Sequence, residues 1–151
     1  MALLLHADFA PNATLPKTNV YTGCGGRNAS PALHWSGGPP STRSYVLTVF
    51  DPDAPGGGFW HWIAYDIPAT TQALDANAGA QPSDSLRFAT NGFGHVRYDG
   101  PCPPPGKPHR YVFTLYALDV PHVSLANGEG VAAALEGHVV AKTEVTGRYG
   151  R

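Results

Sequence analysis

The sequence predicts one mostly-β domain, built from two packed sheets with one or two peripheral helices. Three observations support this fold class. Several apolar runs are rich in β-branched and aromatic residues, which favour strands. The 18 Gly and 15 Pro are spread between these runs, as turns are, and do not gather in one tail. The length of 151 residues suits one domain with one sizeable core, so residues 1–151 are assigned to a single domain.

The predicted strands follow in chain order. Residues 3–9 are a short apolar strand. Residues 44–50 are almost entirely β-branched or aromatic, which suits a strand covered on both faces. Residues 59–66 and 110–118 have the same character, and a last strand is predicted over residues 139–145.

Turns and one helix complete the prediction. Residues 55–58 (Pro-Gly-Gly-Gly) connect two strands that are close enough in sequence to pair. Residues 100–106 are too rich in proline for the interior of a sheet, because proline cannot donate a hydrogen bond to a neighbouring strand. Residues 130–136 are rich in alanine and predict a helix, with Asn127 as an upstream cap. Residues 75–85 are small and polar, and they predict a loop with a short helical turn.

Composition and charge exclude several classes of protein. With 10 Lys+Arg against 11 Asp+Glu, the chain has no basic excess to hold a nucleic acid. The longest early apolar run, residues 2–5, is too short for a signal peptide or a spanning helix, so we expect a cytoplasmic protein without integral membrane contact. In that compartment Cys24 and Cys102 are expected to be reduced thiols, and neither belongs to a Cys-x-x-Cys zinc motif.

Candidate site residues lie at strand ends and in the adjoining turns, where a rigid strand can aim a side chain from an open loop. Asp51 and Asp53 flank a proline, and two carboxylates this close should attract a cation, a donor or a proton. His61 lies between two tryptophans, and His109 opens a strand. Taken singly, each histidine is more often a core residue and each aspartate is as well explained as a turn cap. Taken together, they predict one mixed pocket.

Such a pocket suits a phosphate-type anion. The two histidines as imidazolium ions, the hydroxyl group of Tyr111 and free backbone N–H groups near Gly100 would donate hydrogen bonds to it. A carboxylate beside the anion would accept a hydrogen bond from a protonated ligand oxygen, raise the pKa of a histidine, or receive an ammonium group of the ligand. A cis X-Pro peptide bond is also compatible with the sequence in this part of the chain.

Enzyme signatures are absent from the sequence. There is no His-Glu-x-x-His motif, no Gly-x-Ser-x-Gly elbow and no nucleophile context around either cysteine. The glycine-rich residues 55–58 lack the lysine of a phosphate-binding P-loop. We therefore expect a binding protein without catalytic activity, metal or cofactor. A protein that inhibits a kinase or protease is the first alternative, and a phosphoester hydrolase using the acidic pair is the second.

The order of the motifs resembles the phosphatidylethanolamine-binding protein (PEBP) family. Asp-Pro-Asp-Ala-Pro at residues 51–55 is followed by Trp-His-Trp at 60–62. Gly-Pro-Cys-Pro-Pro-Pro-Gly at 100–106 then leads into His-Arg-Tyr at 109–111, and Leu-Glu-Gly-His follows at 135–138. The Trp-His-Trp triplet and the Cys-Pro-Pro loop resemble the bacterial and archaeal branch, often called Raf-kinase-inhibitor-like.

The resemblance implies a large central antiparallel sheet packed against a smaller sheet, with a small anion pocket at one end. In that family the pocket takes phosphate-like ions and the phosphoryl head group of phosphatidylethanolamine, so a small anion or a phospholipid head group is the expected ligand. Bacterial relatives are often dimers. The sequence does not decide whether this protein forms a homodimer or whether it binds a protein target. The residues that match the family's pocket are Asp51, Asp53, His61, Gly100, Pro101, His109 and Tyr111.

Two departures from the eukaryotic pattern accompany the resemblance. The connection at residues 55–58 is short where eukaryotic relatives carry a longer charged loop. The chain also ends soon after Tyr149, without the C-terminal helix that borders the eukaryotic pocket. Both departures weaken any transfer of kinase inhibition or of lipid choice, and neither touches the pocket residues.

Overall fold

The computed structural model describes residues 1–151 and contains eight strands and one short α-helix. Four single turns of 3-10 helix lie at Lys17–Asn19, Thr22–Cys24, Ala78–Ala80 and Gly128–Gly130. The strands are β1 (Leu4–Ala7), β2 (Leu33–Ser36), β3 (Ser44–Asp51), β4 (Phe59–Pro68), β5 (Ala73–Leu74), β6 (Arg87–Phe88), β7 (His109–Leu118) and β8 (Val139–Tyr149), and the helix is α1 (Val131–Leu135).

The strands form two sheets. The larger one has five strands in the order β6-β4-β3-β7-β8, and the smaller one has three in the order β1-β2-β5. All neighbouring strands of both sheets are antiparallel. The predicted large antiparallel sheet packed against a smaller one is therefore confirmed.

Strand β3 lies at the centre of the larger sheet and is covered on both faces, as its composition predicts. Leu47 and Val49 belong to the main core, which the two sheets enclose between them. Val46 points to the other face, where it joins a smaller apolar cluster with Leu118 and Leu135 of α1. Burial of each such side chain stabilises the fold by about 1.5–3 kcal/mol.

The predicted elements are present, with shifted bounds. The last strand continues to Tyr149 because β8 pairs with β7 along its whole length. The first strand is shorter than predicted, since Asp8 leaves β1 and bonds with the backbone of Ala32. Asn127 caps the helical turn as predicted, and its side chain accepts a hydrogen bond from the N–H group of Gly130 at 3.3 Å. Every peptide bond is trans, and no helix is long and apolar enough to cross a membrane.

The expectation of two reduced thiols is wrong. Cys24 and Cys102 form a disulfide bond, with their Cα atoms 5.6 Å apart. Backbone pairing places them together, because the N–H group of Tyr21 donates to the carbonyl oxygen of Pro101 at 3.0 Å. The two cysteines are separated by 78 positions in sequence, so only the folded chain reveals that they meet.

Candidate functional site

A cavity of about 300 Å³ opens at one end of the five-stranded sheet. The strand order β4-β3-β7 brings together the last residue of β3, the first residues of β4 and the first residues of β7, because neighbouring strands are antiparallel. The loop at residues 102–104 and the side chain of Phe93 close the remaining sides. The lining residues are Asp51, Ala54, Pro55, Gly58, Phe59, His61, Phe93, Cys102, Pro103, Pro104, His109 and Tyr111.

An aspartate–histidine pair forms one wall of the cavity. The side chain of Asp51 is 4% exposed, and its Oδ2 atom lies 2.6 Å from Nδ1 of His109. Its other oxygen accepts a hydrogen bond from the backbone N–H of Asp53 at 2.8 Å, which closes the turn after β3. A carboxylate oxygen accepts, so Nδ1 of His109 donates and the Nε2 atom makes no hydrogen bond within the protein.

His61 forms the floor of the cavity and is buried. Its Nδ1 atom lies 2.7 Å from the carbonyl oxygen of Asp99, so this nitrogen carries the hydrogen. Burial lowers the pKa of His61, while the Asp99 carbonyl and the Asp51 charge oppose that shift. The ring is therefore neutral at pH 7, and its Nε2 atom is a hydrogen-bond acceptor. The sequence analysis instead predicts a charged donor at this position, a form that the lowered pKa of His61 disfavours at pH 7.

The Asp99 side chain is a feature to which sequence reasoning assigned no role. It is fully buried, yet its carboxylate accepts hydrogen bonds from four side chains at 2.7–2.9 Å: Asn28, Asn91, His95 and Arg97. Burial alone would raise the pKa of Asp99, but these hydrogen bonds lower it below its ordinary value. The backbone N–H of Asp99 also donates to the carbonyl oxygen of His61 at 3.1 Å. Asp99 is thus fixed by its side chain and holds His61 through its backbone.

Aromatic rings surround the imidazole of His61. Phe59, Tyr111 and Phe93 meet it edge to face, with ring centroids 5.0, 5.2 and 6.0 Å away. Phe93 is 36% exposed at the mouth of the cavity and stacks on Tyr21. Burial and the nearby Asp51 charge raise the pKa of Tyr111, so its hydroxyl group keeps its proton and can donate.

Three of the predicted site residues do not line the cavity. The Asp53 carboxylate points to the outer surface, where Arg110 binds it through Nε at 3.0 Å and a terminal nitrogen at 2.9 Å. These hydrogen bonds from Arg110 lower the pKa of Asp53 to about 2. The N–H group of Gly100 is not free, as it donates to Oδ1 of Asn28 at 2.6 Å, and the carbonyl oxygen of Pro101 accepts from the backbone of Tyr21.

The residues that the structure does bring together are Asp51, His61, His109 and Tyr111. Sequence reasoning missed the aromatic wall of Phe59 and Phe93, although Phe59 adjoins the Trp-His-Trp triplet and could have been included. No group of three or more His, Cys, Asp or Glu side chains is arranged to hold a metal ion.

Comparison with known proteins identifies the family. The model of the phosphatidylethanolamine-binding protein family matches residues 6–150. The chain belongs to the PEBP family. It is 38% identical to the UPF0098 protein YbhB of Escherichia coli, over 97% of this chain and 98% of that protein.

Solved structures of PEBP-type proteins agree with this assignment. The crystal structure of Escherichia coli YbcL, described as a new member of the mammalian PEBP family, superposes with a TM-score of 0.93. It is 35% identical and covers 100% of this chain and 99% of its own. CT736 from Chlamydia trachomatis superposes with a TM-score of 0.85 at 33% identity, covering 99% and 98% of the two chains.

Proposed function

We propose that this PEBP-family protein binds the phosphoryl group of a small ligand in the cavity, and binds it without chemical conversion. One observation carries the proposal: a hydrogen-bonded Asp51–His109 pair and a neutral His61 meet in one aromatic-lined cavity. The cavity offers donors and acceptors at once, which suits an anion that still carries a proton.

The acceptors determine the protonation state of the ligand. The Asp51 carboxylate repels a fully ionised phosphate, unless a proton lies between the two groups. The neutral His61 likewise accepts through Nε2 and cannot donate from that atom. A phosphomonoester monoanion donates its single P–OH to one of these two acceptors, while its other oxygens accept from the Tyr111 hydroxyl and from a His109 ring that carries hydrogen on both nitrogens. Phosphomonoesters hold this proton below about pH 6.

The size of the cavity limits the rest of the ligand. A volume of about 300 Å³ lies at the lower end of the range for small-molecule sites. It suits a phosphomonoester with a short substituent, such as O-phosphoethanolamine. The family's description as phosphatidylethanolamine-binding supports the same class of ligand.

Calorimetric titration with inorganic phosphate and O-phosphoethanolamine tests the proposal. We expect saturable binding at about pH 5.5 that weakens roughly tenfold or more at about pH 8, since the ligand has then lost its proton. His61→Ala and His61→Gln should both abolish it. His34→Ala is the matched control, because His34 is exposed on β2 of the other sheet.

Two results would contradict the proposal. One is the absence of binding heat from wild-type protein whose fold circular dichroism confirms. The other is unchanged affinity in both folded His61 variants. Assay of the calorimeter cell for inorganic phosphate after titration with O-phosphoethanolamine separates binding from turnover, since release of phosphate would indicate a hydrolase.

A further inference from the structure

A second concave surface, which we call the basic shelf, lies directly beside the cavity. It encloses about 560 Å³. His109 and Pro104 line both the cavity and the shelf, so the two spaces adjoin at these residues. The residues that line the shelf are Asp53, Pro104, Pro105, Lys107, Pro108, His109, Arg110 and Arg148.

The shelf carries a local surplus of positive charge. Lys107, Arg110 and Arg148 face a single carboxylate, that of Asp53, and Arg110 occupies both of its oxygens. The side chains of Lys107 and Arg148 make no hydrogen bond or ion pair within the protein. Because the whole chain has a net charge of −1, this surplus is not a general property of its surface.

Two of these cations lie on neighbouring strands of the larger sheet. Arg110 on β7 and Arg148 on β8 are directly opposite each other in the strand register. Like charges at opposed positions of an antiparallel pair destabilise it. An anionic group on the shelf would relieve this repulsion.

We infer that the basic shelf is a subsite for a second anionic group of the ligand, contacted by Lys107 and Arg148. This inference rests on the proposed function, since the first phosphoryl group must occupy the cavity. The ligand class is a small molecule in which a short linker joins a phosphoryl group to a carboxylate or to a second phosphoryl group. His109, which borders both spaces, marks the point where the linker crosses.

Two probes that differ in the charge of the distal group test the inference. O-phosphoethanolamine ends in an ammonium group, and 2-phosphoglycolate ends in a carboxylate on a linker of similar length. Titrated at about pH 5.5 and low salt, phosphoglycolate should bind about fivefold more tightly, the effect of roughly two solvent-exposed ion pairs. High salt should reduce the difference, because exposed charges are screened. Propane-1,3-diyl bisphosphate in place of phosphoglycolate distinguishes a second phosphoryl group from a carboxylate.

The double variant Lys107→Ala/Arg148→Ala should lose the preference for phosphoglycolate and keep its affinity for inorganic phosphate. Arg43→Ala/Lys142→Ala is the matched control, since it removes the same charge at exposed positions. Arg43 precedes β3, whose other end carries Asp51, and Lys142 is opposite Tyr116 near the far end of β7.

The outcomes separate this inference from the proposed function. If wild type binds phosphate but shows no preference for either doubly anionic probe, the shelf is not a subsite, while the cavity remains the binding site. A preference that survives in the Lys107/Arg148 variant also overturns the inference. If phosphate itself fails to bind to the folded protein, both proposals fall.

Discussion

The histidine at the floor of the cavity is oriented by a residue that never reaches the cavity. The backbone of Asp99 bonds with His61 at two places, through its carbonyl oxygen and its N–H group. Four donors fix the Asp99 side chain in turn. The position of His61 therefore depends on a buried polar network, and such networks are costly when they are incompletely satisfied.

Replacing Asp99 by Asn should destabilise the protein by about 3 kcal/mol. The amide would present an N–H donor to groups that themselves donate, and the charge that accepts from Arg97 would be lost. Urea unfolding followed by fluorescence measures the change. Asp119→Asn is the control, since the Asp119–His138 pair is exposed and should contribute less than about 1 kcal/mol. Equal effects of the two substitutions would contradict the role of the Asp99 network.

The burial of His61 should make stability depend on pH in a defined direction. The unfolded chain takes up a proton on this histidine near pH 6.5, whereas the folded chain does so only at a lower pH. Between the two values the unfolded state binds more protons. The stability that comes from a neutral His61 is therefore complete above about pH 6.5 and declines as the pH falls through the lowered folded value.

Comparison with His61→Gln isolates this effect from the other histidines. The difference in unfolding free energy between wild type and variant should shrink on acidification from about pH 7.5 to 5, by up to about 1.4 kcal/mol per pH unit. Urea titrations at several pH values provide the measurement. A difference that grows on acidification would mean that the folded protein gains a proton at His61.

At the scale of elements, the long strands were predictable and the segment that fixes His61 was not. β3, β4 and β7 show β-branched and aromatic runs, and their ends carry Asp51, His61, His109 and Tyr111 of the cavity. Residues 91–99 form no helix or strand. They help to fix His61 through side chains, such as Asn91 and His95, that donate hydrogen bonds to Asp99. No periodicity marks such convergence, so sequence reasoning instead assigned Asp53 and Gly100 to the cavity.

The helical turn Gly128–Gly130 contains one glycine that has no space for a side chain and one that has such space. A Cβ atom on Gly128 would overlap the indole ring of Trp60, whereas one on Gly130 would have no atom closer than 3.9 Å. Gly128→Ala should therefore cost about 1–3 kcal/mol through overpacking. Gly130→Ala should stabilise by about 0.4–1 kcal/mol, because its backbone is already helical and the unfolded chain loses freedom. Thermal unfolding of both variants tests the pair, and a similar effect of the two would contradict the packing described for Trp60.

At the scale of the whole molecule, one covalent bond joins distant parts of the chain at the cavity wall. Cys102 lines the cavity, and Cys24 lies 78 positions away in the turn Thr22–Cys24. Reduction should lower the free energy of unfolding by roughly 2–4 kcal/mol, since the unfolded chain regains the freedom of a long loop. Guanidinium unfolding with and without a reductant measures this change. Cys24→Ser/Cys102→Ser should be insensitive to the reductant.

Thiol titration of the denatured, unreduced protein provides the complementary result. Two free thiols in protein taken directly from cells would contradict the bond and agree with a cytoplasmic location. The absence of free thiols would support the disulfide bond and count against a cytoplasmic location, because disulfides persist mainly in oxidising compartments.

The segment after β1 determines how late in synthesis this fold can be completed. Asn12 and Leu15 donate backbone hydrogen bonds to Thr146 and Arg148 at 2.7 and 2.8 Å, and Leu15 is 1% exposed. Their partners belong to β8, which is the last of the eight strands to leave the ribosome. Until then the apolar Leu15 side chain and the edge of β7 are both uncovered. A nascent chain that stalls before β8 has emerged therefore exposes an apolar side chain and an unpaired strand edge. Chaperones should retain such a chain until translation resumes.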